Sequence, residues 1–238
     1  MIAPNRQRIL LDRLEARVRL TWQREIARAM RASAAEYGRT ESIALAMGEH
    51  KERVGRIIQT TYEVAAREFA KPFYEKAAER GMVTKDFDNF LRFMAGFIST
   101  VGAIKISQIS ETTEDQIRQA INAGVAEGLS LPQIAAEIRA RAPQIASVRS
   151  AVIARTETHS AAMWSQVEAV RETGLELRKE WVAAQDERTR IDHSSADGQI
   201  VGFDESFEIG GELLAFPGDP NGSPENIINC RCVMNFVE

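Results

Sequence analysis

Cysteine is nearly absent: the 238 residues hold two, Cys230 and Cys232, one residue apart near the C-terminal end. A reducing cytoplasm keeps such residues as thiols, so metal binding or plain burial is weighed before a disulfide. Long apolar runs are missing as well. The opening MIAPNRQRIL has none behind its basic residues, so nothing in it directs the chain to secretion, and synthesis is expected to end in the cytoplasm. The longest apolar stretch, residues 93–104, is about two-thirds of the roughly 18 residues that a membrane span needs. Arg92 and Lys105 bracket it, so it reads as a buried helix and no membrane partner is expected. A P-loop, a GxGxxG after a strand, HExxH and GxSxG are all absent, and neither an internal repeat nor a low-complexity tract occurs. What remains, 44% hydrophobic and 27% charged residues, suits a globular protein with one large core or two modest ones.

Charge is present but unevenly placed. Residues 1–39 carry nine arginines against four acids, whereas residues 201–238 carry seven acids against Arg231 alone. Arginines such as Arg6, Arg13, Arg17, Arg24, Arg28 and Arg31 fit contact with DNA or with an acidic protein surface, or else simply a solvated helix face.

Proline and glycine are missing from Asn5 to Tyr37, and Leu14, Val18, Trp22, Ile26 and Met30 recur at helical steps. That predicts one long amphipathic helix, interrupted at Gly38. Thr40 or Ser42 caps a second, which Pro72 kinks and Gly81 stops. Thr84 opens a third, with Phe87, Phe90, Met94, Phe97, Ile98 and Val101 on its apolar side. Thr112 or Thr113 is expected to cap a shorter helix, Ser130 with Pro132 to start another that Pro143 closes, and a further helix runs from Ser147 to Thr173. Strand patterns appear only past Gly174. There Leu175, Leu177, Lys179, Trp181 and Ala183 alternate against a mostly polar set, and Gln199 to Phe203 and Cys232 to Val237 follow between Asp-Gly, Gly-Gly and Pro-Gly turn signals. The expected fold is α+β: a long-helix region over 1–110 for docking or assembly, connecting short helices over 111–145, and a small C-terminal module with a short antiparallel sheet over 146–238.

Within that last block an ordered set of motifs stands out: Arg155, Thr156 and Glu157 on a helix, Trp181 on a strand ending in Asp186 and Arg188, then His193, the turn Asp197-Gly198, and Asn229, Cys230, Arg231 and Cys232 before the last strand. This order resembles the C-terminal domain of the phage Mu F-like minor head (head morphogenesis) proteins over roughly residues 130–236. The resemblance implies a bacteriophage or prophage minor capsid protein acting at or near the portal vertex during head assembly and DNA packaging. It would reside in the virion head, and in the host cytoplasm during assembly. Portal and other head proteins are the implied partners, packaged DNA a further one, and no small-molecule substrate is expected. Many members of that family carry a Cys-x-x-Cys pair after D-x-R and a histidine before C-R-C, a set that looks like a zinc site. Here the pair is reduced to His193, and SPENIINCRC holds no histidine.

Read without the family, Arg155 and Glu157 point about 200° apart on a helix and cannot form one bidentate pair. A polar network is expected instead, with Arg155 meeting Asp186 and Glu157 meeting Arg188 or Arg231, and no catalytic residue assigned. His50 and His159 are not expected to be ligands. His193, Cys230 and Cys232 admit two readings, a zinc ion with one open position or two buried thiols beside a hydrogen-bonded histidine. A metal-free fold is the expectation. In it His193 bonds an acid or a backbone carbonyl, and Trp181 packs with Phe203, Phe216 and Phe236. The rival functions are a metal-dependent nuclease or hydrolase using His193, Asp197 and Cys230, and a DNA-binding module working through the arginines listed above.

Overall fold

The computed structural model describes residues 1–82 and 86–238, apart from the side chains at 95, 97 and 99–101. Thr84, Phe97 and Val101 of the sequence reading thus lie outside the described residues or side chains. The elements run α1 (Pro4–Thr40), α2 (Ala44–Phe69), α3 (Lys71–Glu79), α4 (Phe87–Ala126), α5 (Leu131–Thr173), β1 (Arg178–Val182), α6 (Ile191–Ser195), β2 (Ile200–Val201), β3 (Phe207–Ile209), β4 (Glu212–Leu214), α7 (Pro224–Ile227) and β5 (Val233–Val237). The architecture is α+β, long helices first and short antiparallel strands last.

Several expected helix breaks do not occur. Thr112 and Thr113 lie inside α4 and turn their hydroxyls back to the carbonyls of Gln108 (2.7 Å) and Ile109 (3.0 Å), so they satisfy the preceding turn and do not cap a new one. Pro143 lies inside α5 on an exposed position, where the carbonyl it leaves without a partner can reach water. Gly38 lies within α1, at the modest cost of a glycine in a helix. Real ends have local causes. Ser42 Oγ accepts the Ala44 N–H and the Glu36 carboxylate accepts those of Leu45 and Ala46, which caps α2. Gln133 reaches back to the Ser130 N–H at the start of α5. Pro72 stands in the first turn of α3, so the chain breaks at Ala70 where a kink was expected.

Two compact units emerge, and each draws on early and late sequence. One gathers 17–60 and 96–154, segments of α1, α2, α4 and α5. Its core is built on Trp22, Ile26, Met30, Val54, Ile58, Ile117, Ile134 and Ile138. Gly124 permits the approach of α4 to α5 there, since a Cβ on it would sit 2.7 Å from Ile134 Cγ1. Within this core His50 Nδ1 lies 3.0 Å from Glu25 and its Nε2 3.3 Å from Thr113, whose hydroxyl also receives Arg149 at 2.7 Å.

The other unit gathers 1–16, 61–95 and 155–238. Its sheet has the order β2-β1-β5, all antiparallel, with Trp181 opposite Met234 and Lys179 opposite Phe236; β3 and β4 form a separate hairpin. The alternation read from sequence appears in the burial: Leu175, Leu177, Lys179, Trp181 and Ala183 are all buried. Trp181 packs edge-on against Phe207 and His193, each 5.4 Å away. Phe207 thus takes the place expected of Phe203, which lies under Arg171 and Lys179. The first turns of α1 belong to this unit because Gln7, fully buried, donates to Met234 O (2.7 Å) and Ile2 O (2.9 Å) and accepts from Gln166 (3.1 Å). Among the described residues no helix is long and apolar enough to cross a membrane.

Candidate functional site

The motif residues meet in the second of these units. Arg155, on α5, sends Nε and Nη2 to the two oxygens of Glu15 on α1 (3.2 and 2.8 Å) and Nη1 to Asn229 Oδ1 (3.1 Å). The carboxylate it engages is therefore Glu15, where the sequence pointed to Asp186. Thr156 Oγ1 accepts the Asn229 N–H at 3.1 Å, so the helical A-R-T-E stretch and the N-C-R-C stretch are tied by two bonds at one residue. Asn229 has φ of 59°, a left-handed conformation that a short polar side chain tolerates.

Asp186 is used locally. Its Oδ1 accepts the Arg188 N–H (3.1 Å) and the Thr189 hydroxyl (2.8 Å), closing a turn. The Thr189 hydroxyl first, then the Arg188 amide and the charges of Arg231 and Arg188, hold its carboxyl below the usual range. Arg188 is exposed, and Arg190 is the arginine that reaches across, to Ile228 O at 2.6 Å. Glu157 is buried. Asp197 Oδ1 accepts the Ala183 N–H (2.8 Å), its other oxygen meets Gln185, and Gly198, at φ 78°, donates to Trp181 O (2.8 Å), which locks β1 to the turn before β2. A cavity of about 130 Å³ lies among Arg8, Glu15, Arg155, His159, Asp186 and Arg231. With Asp12 also on its wall, three acids face three arginines and leave no surplus charge.

Behind it His193, Cys230 and Cys232 converge, all buried, their ligand atoms within 4.8 Å of one another. Cys232 Sγ is 3.4 Å and Cys230 Sγ 3.7 Å from His193 Nδ1, and His193 Nε2 is 3.3 Å from Asn226 Oδ1. The partner of His193 is thus a carboxamide, where an acid or a backbone carbonyl was expected. The Cys230 thiol donates to Cys232, which holds the Cys232 sulfur below the ordinary thiol range and pushes Cys230 above it. His159 is no part of this group: its Nε2 donates to Cys232 O (2.6 Å), and its ring lies against Gly218. Three soft donors fit a zinc ion that keeps one position open.

Sequence reasoning missed Gln7, Glu15, Lys179 and Asn226. Only Lys179 left a signal, a charge on the buried phase of an alternating strand. Its Nζ donates to Glu205 O (2.7 Å) and Ala215 O (2.9 Å) over the Phe207 ring, and burial lowers its pKa to about 8.

Comparison with known proteins bears on this constellation. Residues 115–235 match the family described as Phage Mu protein F like protein. The chain is 30% identical over 126 residues to the minor head protein GP7 of Bacillus phage SPP1, a match spanning 52% of this chain and 40% of that protein. It is 28% identical over 138 residues to the uncharacterized protein YqbB of Bacillus subtilis (strain 168), spanning 56% and 45%. It is also 36% identical over 113 residues to the NAD(+)--arginine ADP-ribosyltransferase EFV of Enterococcus faecalis, spanning 46% and 23%. Each match therefore spans less than half of the relative's own length, and no solved structure matches. The matched stretch, from α4 to β5, takes in every motif that meets at the site, and the chain belongs to the Phage Mu protein F like family.

Proposed function

We propose that this chain is a minor component of a bacteriophage or prophage head, acting at or near the portal vertex during head assembly and DNA packaging. Its partners are the portal protein, other head proteins and packaged DNA. It works in the host cytoplasm during assembly and in the virion head afterwards. The observation that carries this reading is the family match over 115–235, supported by a relative named as a minor head protein.

The role is structural and not enzymatic. Arg155, Thr156, Asp186, Asp197 and Asn229 spend their hydrogen bonds on each other, on the side chains of Glu15, Thr189 and Gln185 and on backbone, and this supports an architectural use of the motifs over a general base with an oxyanion cradle. The N-terminal helical region is the docking part, and the C-terminal module is its anchor.

A second contact, to DNA, has its own support. Arg6, Arg13, Arg17, Arg24, Arg28 and Arg31 are all exposed, and in the helical unit a cleft of about 310 Å³ is walled by Arg24, Arg28, Arg53 and Arg56 together with Glu25, which pairs with Arg28 and Arg53. Glu49 neutralises part of it through Arg28 and Arg53.

The test is assembly. Coexpressed with the portal and major head proteins of the same genome, the chain should sediment with heads and be retained by the portal protein. Heads of normal yield and composition made without it would overturn the reading. Transfer of ADP-ribose from NAD⁺ to arginine peptides, or metal-dependent cleavage of DNA, would replace the structural role with an enzymatic one.

A further inference from the structure

Two sulfurs aim at one nitrogen in the C-terminal unit. Cys230 and Cys232, ahead of β5, place Sγ at 3.7 and 3.4 Å from Nδ1 of His193 on α6. One imidazole nitrogen makes one hydrogen bond, and the nearer sulfur is that of Cys232, to which the Cys230 thiol turns. These contacts gather the three donor atoms around one point, where a single ion would meet all of them. In a tetrahedral zinc site, with Zn–S about 2.3 Å and Zn–N about 2.0–2.1 Å, a sulfur and a nitrogen ligand stand roughly 3.5 Å apart. The two observed separations bracket that value.

The surroundings suit such an ion. All three donors line a cavity of about 10 Å³, whose wall also takes in Asp186 and the arginines Arg188, Arg190 and Arg231, so the two thiolates and not the surrounding charge would have to neutralise the ion. The volume is close to the roughly 10–15 Å³ which accommodates one water-sized particle. Backbone N–H groups face the sulfurs, Ala184 toward Cys232 and Cys232 toward Cys230, as suits thiolate ligands.

The imidazole is also held in one tautomer. The Asn226 side chain bonds both His193 Nε2 and the Glu212 carboxylate. Ionised Glu212 only accepts, so the Asn226 amide N–H₂ faces Glu212 and its Oδ1 receives the Nε2 proton. Nδ1 then turns its lone pair toward the sulfurs.

We propose that His193 Nδ1, Cys230 Sγ and Cys232 Sγ bind one zinc ion, that Asn226 is the residue positioning the imidazole, and that water in the small cavity takes the fourth place. Binding releases the thiol protons to solvent, and two thiolates cancel the charge of the buried ion. The site is independent of what the head protein docks against.

The test uses the full chain, purified without chelator and without a polyhistidine tag. Elemental analysis should return about one zinc per chain, as for a site that forms with the fold. Cobalt(II) loaded into the metal-stripped protein should show thiolate-to-metal charge-transfer absorption, and zinc should shield both thiols from a disulfide reagent. Cys232→Ser and His193→Ala should lose the metal. Asn226→Ala should keep it at saturation but bind zinc about 10–100-fold more weakly. If the ligand variants fail to fold, the cobalt spectrum and thiol shielding of the unaltered chain still decide. Folded protein that is silent with cobalt and leaves its thiols equally reactive with zinc present overturns the site. Unchanged zinc affinity in Asn226→Ala overturns the positioning role.

Discussion

Lys179 shows how a single residue can obey a pattern while breaking its chemistry. It occupies the inward phase of β1, and its amine is held by two carbonyls with the Phe207 ring beneath it. Its pKa falls from 10.5 to about 8 because burial penalises the charged form. The unfolded chain therefore holds more protons between those two values, and this residue's contribution to stability rises with pH across that window and is flat below about 8. Denaturant titrations of the natural chain and Lys179→Met from pH 7 to pH 10.5 should show the difference moving in favour of the natural chain as pH rises. Lys179→Met should also be less stable throughout, by roughly 1–3 kcal/mol for each carbonyl left without its partner. The Arg155–Glu15 pair, with side chains 23% and 19% exposed, makes a second case. Arg155→Met should cost about 1.5–3 kcal/mol in urea denaturation. The double variant with Glu15→Gln should cost less than the two single changes added, because each single change strands the other group. Additive losses would mean that the ion pair carries no coupling.

Among the elements, the long helices were legible in the spacing of apolar residues, as were the cap at Ser42 and the start at Ser130, whereas the breaks expected at Thr112 or Thr113 and at Pro143 do not occur. A threonine that could cap and a threonine that bonds its own preceding turn have the same sequence signature, and Thr112 and Thr113 do the latter. Pro143 was read as a stop because proline removes a helical hydrogen bond, yet it sits exposed inside α5. Pro143→Ala should therefore raise the melting temperature, since proline is about 3 kcal/mol worse than alanine inside a helix. A lowered melting temperature would mean that the proline bend itself serves the packing. In the loop before α7, Gly218 has φ of 79°, and a Cβ there would meet His159 Nδ1 at 2.6 Å. Gly218→Ala should displace His159 from Cys232 O and destabilise the C-terminal unit by about 1–3 kcal/mol, the cost of one strained backbone site. Loss of hydrogen-exchange protection around residues 155–162 and 230–236 would report it.

For the whole molecule, residues 1–16 carry the strongest consequence. Read along the sequence they belong to a docking helix, but Gln7, Arg8 and Glu15 hold Met234 O, Ala183 O and Arg155 of the C-terminal unit. Removing residues 1–16 should therefore loosen that unit, with early proteolysis between 175 and 238 and a lower melting temperature. An unchanged digestion pattern would show that the module folds without them. The docking role is better tested by charge than by truncation: replacing Arg24 and Arg56 with glutamine, while keeping the Arg28 and Arg53 partners of Glu25, should leave the melting temperature unchanged and weaken salt-dependent DNA retention or incorporation into heads.

The sequence by itself determined the α+β class, the long helices, the inward phase of β1 and the ordered motifs that place the chain in its family. Periodicity and turn chemistry are local, and a motif is a local record of residues kept in order. Tertiary structure alone decided who pairs with whom. Arg155 meets Glu15, 140 positions away, and Gln7 meets Met234, 227 positions away. Such partners are chosen by which helix faces and strand ends the buried core brings together, and no window of neighbouring residues contains that information. At His193 the sequence grouped the histidine with the two cysteines, and the fold alone supplied Asn226, whose Oδ1 lies 3.3 Å from Nε2.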